Sequence, residues 1–187
     1  MPLMERRAFC LGAAGLFVAG AARSETPWAL LRRGESVALI RHATAPGSGD
    51  PPGFRLRDCS TQRNLSDEGR AQARRIGAMF RANGIDDADV YSSQWCRCLE
   101  TARALMLPAV DEQPLLNSFF DEPGQAETRT RQTLAWILSL KAASPVVLVT
   151  HQVNITGLTG IFPASGEVIF ASAEETGMKL RGRLAIS

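Results

Sequence analysis

Ser36-Val-Ala-Leu-Ile-Arg41 runs directly into His42, and Pro145-Val-Val-Leu-Val-Thr150 runs directly into His151. Each apolar run has the length of a buried strand and is too short for a helix. Working outward, residues 43–65 hold Pro46, Gly47, Gly49, Pro51, Pro52 and Gly53 and predict a long loop. Ser66 is a good N-cap, and Asp67 and Glu68 suit the first helical turn. Gly69, Ala73, Ile76, Met79 and Phe80 then recur on one helical face, and Asn83-Gly84 ends the pattern. Residues 89–92 read as a strand, 94–105 as a helix, 109–110 as a short strand and 127–141 as a helix with Leu134, Ile137 and Leu138 inward. A short helix starts near Val153, and residues 167–171 and 178–186 predict a late hairpin. Strands separated by helices predict an α/β fold, a three-layer α/β/α sandwich. Its central sheet is mainly parallel, with an antiparallel hairpin at one edge.

The 187 residues are 45% apolar and 21% charged, which allows a packed core and argues against disorder. The net charge of +2 is too balanced for a nucleic-acid binder. No apolar run reaches the roughly 20 residues of a membrane span. The start of the chain carries Arg6-Arg7, a short apolar stretch over residues 11–18, and the small residues Ala19-Gly20-Ala21. This predicts a twin-arginine-type signal peptide over residues 1–22 and a single domain over 23–187. It also predicts use of the export machinery and a periplasmic or secreted location. The alternative is an uncleaved helix or membrane anchor. After cleavage Cys59, Cys96 and Cys98 remain, in a compartment that permits disulfides. Cys96 and Cys98 are too close along the chain to suit each other, so Cys59 is expected to pair with one of them.

His42 and His151 are the chain's two histidines. Each follows a predicted buried strand, and ligands of open α/β sheets bind beyond the carboxyl ends of strands. A single histidine there is commonly a structural hydrogen-bonder; two at equivalent ends are a stronger sign. Arg41 adds a permanent cation beside His42. Arg97 lies about one turn inside the helix predicted after the strand at 89–92, near an end that favours anions. Two Arg and two His together would suit a doubly charged anion such as a phosphoryl group.

Four segments bring a family into view. LIRHATAP (39–46) resembles the strand-Arg-His signature of the histidine phosphatase superfamily, which includes metal-independent acid phosphatases and phosphoglycerate mutases. NLSDEGRAQA (64–73) is similar to the family's segment after the first loop. SSQWCRCLETA (92–102) is similar to its Ser-x-x-x-Arg-x-x-x-Thr-Ala pattern, at Ser93, Arg97, Thr101 and Ala102, and VTH (149–151) to its late strand-His. The resemblance implies a nucleophilic His42 that becomes phosphohistidine, with Arg41, Arg97 and His151 holding the phosphoryl oxygens. It implies no metal and no cofactor. The family's Leu-x-Glu acid is replaced by Leu116-Asn117-Ser118, so the proton donor is expected at Glu122, with Asp121 as the alternative. After the second histidine, where the family often has Gly, the chain has Gln152, followed by Asn154.

The expected activity is that of an exported phosphomonoesterase. Its substrate would be a small phosphorylated molecule such as a sugar phosphate. Phe54, Trp95, Phe119 and Phe120 are candidate pocket walls, with a core role the more natural expectation for each. Two rival readings stand beside this one. The first is a non-catalytic phosphate- or phosphosugar-binding protein, favoured by Ser118. The second is a periplasmic metal binder using His42, His151 and the three cysteines.

Overall fold

A computed structural model describes residues 25–140 and 144–186. The elements in chain order are α1 (Pro27–Arg32), β1 (Val37–Arg41), α2 (Asp67–Ala82), β2 (Asp89–Ser92), α3 (Cys96–Ala104), β3 (Val110–Glu112), α4 (Ala126–Ser139), β4 (Val146–Thr150), α5 (Gln152–Thr159), β5 (Val168–Glu174) and β6 (Gly177–Leu184). They build one mixed sheet of order β3-β2-β4-β1-β5-β6. The first four strands of that order run parallel, while β5 and β6 are antiparallel and form the edge hairpin. This is the α/β architecture the sequence predicts. The twin-arginine leader expected over 1–22 lies outside the described residues. Among the described residues no helix is long and apolar enough to cross a membrane.

The strands alternate their side chains between two cores. Ala38, Ile40, Val90, Val147, Val149 and Phe170 face Leu31 of α1, Ile76 and Phe80 of α2, and Cys98 and Ala102 of α3. Leu39, Val146, Leu148 and Ile169 face Ile137 of α4 and Ile155 and Leu158 of α5. Because both faces of β1 and β4 are covered, these strands read as unbroken apolar runs.

Helix α2 starts where the sequence places it: Ser66 Oγ accepts from the Gly69 N–H at 3.0 Å. Gly69 is required by close approach, because a Cβ there would run into the backbone carbonyl of Thr44. Met79, assigned to the inner face of α2, lies at its border and is 36% exposed. Leu138, expected inward on α4, is 46% exposed. The inward stripe of α4 runs through Thr133, Leu134 and Ile137, with Trp136 packed edge-on against Tyr91, and Leu138 falls outside it. Helix α1 has no counterpart among the elements the sequence predicts. Thr26 caps it and Pro27 opens it, and its Trp28 meets Phe80 and Phe170 at ring-centroid distances of 5.1 Å and 4.7 Å.

Candidate active site

The order β2-β4-β1 puts three carboxyl ends side by side, and each delivers a side chain to the same edge. β1 ends in Arg41 and delivers His42; β4 delivers His151; β2 leads through Ser93 to α3, whose first turn carries Arg97. The His42 N–H donates to the Thr150 carbonyl and the Ser93 N–H to the Val149 carbonyl, each at 2.9 Å, so the ladder hydrogen bonding continues past the strands. The imidazoles of His42 and His151 meet edge to face with centroids 5.6 Å apart. Arg41, His42, Arg97 and His151 all line one cavity of about 150 Å³.

His42 is buried, and its Nδ1 lies 2.8 Å from the Ala43 carbonyl. A carbonyl can only accept, so Nδ1 carries the proton and the Nε2 lone pair is free. Thr101 secures that carbonyl's residue: its Oγ1 accepts the Ala43 N–H at 3.0 Å. Burial, then the Arg97 charge, pulls the His42 pKa down to about 3. His151 is also held well below its ordinary value, by burial and then by Arg97. Its Nε2 hydrogen-bonds with the Ser93 hydroxyl at 2.8 Å. Both rings are therefore neutral at neutral pH.

The cations are held differently. Arg41 is half-buried; its Nη1 donates to the Pro163 carbonyl at 2.9 Å, and its Nε has no partner among the described residues. Arg97 is 3% exposed and ion-paired to Asp50, Nη1 to Oδ1 at 2.7 Å and Nη2 to Oδ2 at 3.1 Å. Asp50 also accepts from the Trp95 indole at 2.9 Å and the Arg63 backbone N–H at 3.2 Å. Burial pushes the Asp50 carboxyl up, but the Arg97 and Trp95 hydrogen bonds outweigh it and hold the carboxyl below its ordinary value. Arg63 lines the cavity too, with Nε donating to the Gly49 carbonyl at 2.8 Å and Nη1 to the Ala45 carbonyl. Neither Asp50 nor Arg63 is among the residues that the sequence pattern predicts for the site. Both lie in the aperiodic 43–65 segment, where spacing gives no cue to partners far along the chain.

Around the mouth, Ser118, Phe120 and Asp121 line the cavity and Glu122 does not. Asp121 and Glu122 are both exposed. Phe120 is 56% exposed instead of joining the core, whereas Phe119 is buried. Trp95 stacks on Phe54 at 5.1 Å and meets His151 edge-on at 5.3 Å. Gln152 lines the cavity and donates to the Thr156 hydroxyl at 3.0 Å, while Asn154 donates to the Asn117 carbonyl at 3.0 Å.

Cys59 is bonded to Cys96, with Cα atoms 5.7 Å apart, so the loop is tied to the residue preceding Arg97. Cys98 remains as a buried thiol 3.5 Å from His151 Nε2, its pKa pushed up to about 12 by burial. Two of the three cysteines are thus unavailable as thiolates for the metal-binder reading. Among the described residues no group of three or more His, Cys, Asp or Glu side chains is arranged to hold a metal ion.

Residues 37–122 match the sequence model of the histidine phosphatase superfamily, branch 1. That segment, just under half of the chain, is similar to the histidine phosphatase superfamily. The match takes in β1, the 43–65 loop, α2 and the Arg97 helix. His151 lies beyond it and is brought in by the pairing of β4 with β1. Comparison with curated proteins gives no match.

Solved structures share the fold. The protein histidine phosphatase SixA complexed with tungstate superposes with a TM-score of 0.57 at 14% identity, covering 80% of this chain and 96% of that one. A phosphoserine phosphatase mutant from Entamoeba histolytica, in complex with phosphoserine, gives 0.55 at 16%, covering 79% and 95%. A mycobacterial glucosyl-3-phosphoglycerate phosphatase gives 0.50 at 17%, covering 79% and 96%. The chain therefore spans nearly the whole of each neighbour.

Proposed function

We propose that the protein is an exported, metal-independent phosphatase that hydrolyses small phosphomonoesters through a phosphohistidine on His42. The observation that carries this reading is the state of that imidazole: neutral, its Nδ1–H tied to the Ala43 carbonyl, in a cavity with Arg41, Arg97 and His151. A neutral ring fixed in that tautomer is a nucleophile at Nε2. It attacks phosphorus, and the bond to the ester oxygen breaks with its electron pair going to that oxygen. Arg41 and Arg97 stabilise the charge on the non-bridging oxygens. His151 completes the set on the cavity wall, its Nε2 tied to the Ser93 hydroxyl. Water then attacks the phosphohistidine, and inorganic phosphate leaves as His42 Nε2 regains its lone pair.

The departing oxygen takes a proton, and Asp121 is our choice of donor because it reaches the cavity wall where Glu122 does not. Asp121 is open to solvent, and this favours substrates whose leaving group needs little help. Among the neighbours one is named for a phosphorylated sugar derivative, and a sugar phosphate suits an exported enzyme with an open site. The second reading, a phosphate- or phosphosugar-binding protein without turnover, draws support from Ser118 on the cavity wall where the family has its Glu.

The deciding experiment mixes the protein with an aryl phosphate and quenches in alkali, where phosphohistidine survives. An alkali-stable phosphoryl label that is absent from His42→Ala supports the phosphatase. Binding of phosphate with no label and no turnover selects the second reading.

A further inference from the structure

Arginine carries five N–H donors in a fixed planar fork, so the donors of Arg97 can be accounted for one by one. Asp50 takes the end of the guanidinium, one hydrogen from Nη1 at 2.7 Å and one from Nη2 at 3.1 Å. The other Nη1 hydrogen points to the Arg63 carbonyl, 3.5 Å away. What remains is the side of the fork, Nε–H together with the second Nη2 hydrogen. Nε is buried and has no partner among the described residues. Two parallel N–H groups on one edge match two oxygens of a phosphoryl group.

The carboxylate that creates this situation is saturated. Oδ1 accepts from Arg97 Nη1 and from the Arg63 N–H, and Oδ2 accepts from Arg97 Nη2 and from the Trp95 indole. Each oxygen has two lone pairs, so none is left to hold a proton. Asp50 is therefore a fixed anion here and not a proton donor, although it lines the cavity. Arg41 repeats the pattern with a different clamp: the Pro163 carbonyl holds Nη1, and Nε is again buried without a partner among the described residues. Two cations in one cavity are each gripped at the tip and each keep an Nε–H in reserve.

We propose that Asp50 is a positioning residue for phosphoryl binding: it clamps the tip of Arg97 and presents the Nε edge of the guanidinium to the substrate. This rests on the phosphatase reading of the cavity and adds to it a residue that touches no substrate. Holding the fork still before the ligand arrives removes an ordering cost from binding. Trp95 and the Arg63 backbone act one layer further out, by fixing the carboxylate.

The test uses the whole wild-type protein, labelled with ¹⁵N-arginine and ¹³C-aspartate, titrated with inorganic phosphate. The expected result is a shift of the Arg97 Nε–H signal while the Asp50 carboxyl carbon keeps its ionised position. Asp50→Asn, which keeps the shape and removes the charge, should then weaken phosphate binding about ten-fold. It should also raise KM for an aryl phosphate, a change that lost thermal stability alone does not produce below the melting temperature. An Asp50 carbon that moves as phosphate binds, or an Asp50→Asn protein that binds phosphate as well or better, overturns the proposal. In that case the carboxylate competes with the ligand or is irrelevant to it. An unmoved Arg97 Nε signal in a protein that does bind phosphate overturns it equally. Failure of the phosphatase reading shows differently, as normal Arg97 shifts with no phosphohistidine.

Discussion

Removing the Cys59–Cys96 bond should destabilise the protein by about 4 kcal/mol. The bond joins residues 37 apart in sequence. The chain-entropy relation for a loop of that length gives an entropy difference of about 13 cal/mol/K in the unfolded chain, hence about 4 kcal/mol at 25 °C. For a chain of this size that corresponds to a drop in Tm of roughly 10 °C. The variant to use is Cys59→Ser with Cys96→Ala, because a single replacement would leave an unpaired thiol. In the folded protein Cys98 does not enter into exchange: burial pushes its pKa up to about 12 and keeps it a thiol, whereas attack on a disulfide needs the thiolate, so unfolding is followed at a pH below the ordinary thiol range. The native contacts between loop and helix do not all depend on the bond. Gln62 Oε1 still accepts the Cys96 N–H at 2.9 Å, and Asp50 still grips Arg97. The variant should therefore keep phosphate binding at 25 °C while its urea midpoint falls. Urea unfolding of the oxidised protein and the double variant, with equal m-values, is the assay. A difference below about 1 kcal/mol would refute the reasoning, since the unfolded chain would then gain little freedom from losing the crosslink.

Two further outcomes follow from the site. Stability should fall with pH between about 6.5 and 5, by up to about 1.4 kcal/mol per pH unit for each buried imidazole. The unfolded chain takes up protons near 6.5 while folded His42 resists down to about 3, so the unfolded state binds more protons in that window. Urea midpoints that stay flat from pH 6.5 to 5 would contradict the neutral-imidazole assignment. Asp121→Asn should slow hydrolysis of an alkyl phosphate more than that of an aryl phosphate, by about ten-fold or more. Glu122→Gln should leave both rates near wild type, and the reverse ranking in steady-state kinetics would transfer the acid role to Glu122.

The sheet was legible because β1 and β4 are covered on both faces, and such strands announce themselves as short apolar runs. Helix α2 was legible from its cap and its one-sided pattern. Helix α1 was not, because six residues are too few to show a period. What holds α1 is tertiary: Trp28 wedged against Phe80 and Phe170, residues far along the chain. Leu138 shows the opposite failure, a residue near the right spacing but off the stripe that α4 buries. In the cavity, Arg41, His42, Arg97 and His151 were visible because each sits at or just beyond a strand end, where topology alone fixes the position. Asp50 and Arg63 sit in a loop whose path depends on a disulfide and on hydrogen bonds spanning 13 to 47 residues. No local rule encodes that path.

Charge explains why that loop contains a carboxylate at all. Arg41, Arg63 and Arg97 share one small cavity with two imidazoles that are neutral. Burial and the neighbouring Arg97 charge already lower the pKa values of Arg41 and Arg63. Three cations with no counter-charge would be costly in the empty state, and buried charges are kept where a partner compensates them. Asp50 supplies one negative charge, which leaves two net positive charges among these four groups, with exposed Asp121 at the mouth outside that count. A phosphoryl monoester carries about −1.5 to −2 at neutral pH. The balance left by Asp50 thus matches the ligand that the two free Nε–H edges are shaped to receive. Charge and geometry select the same group by independent routes.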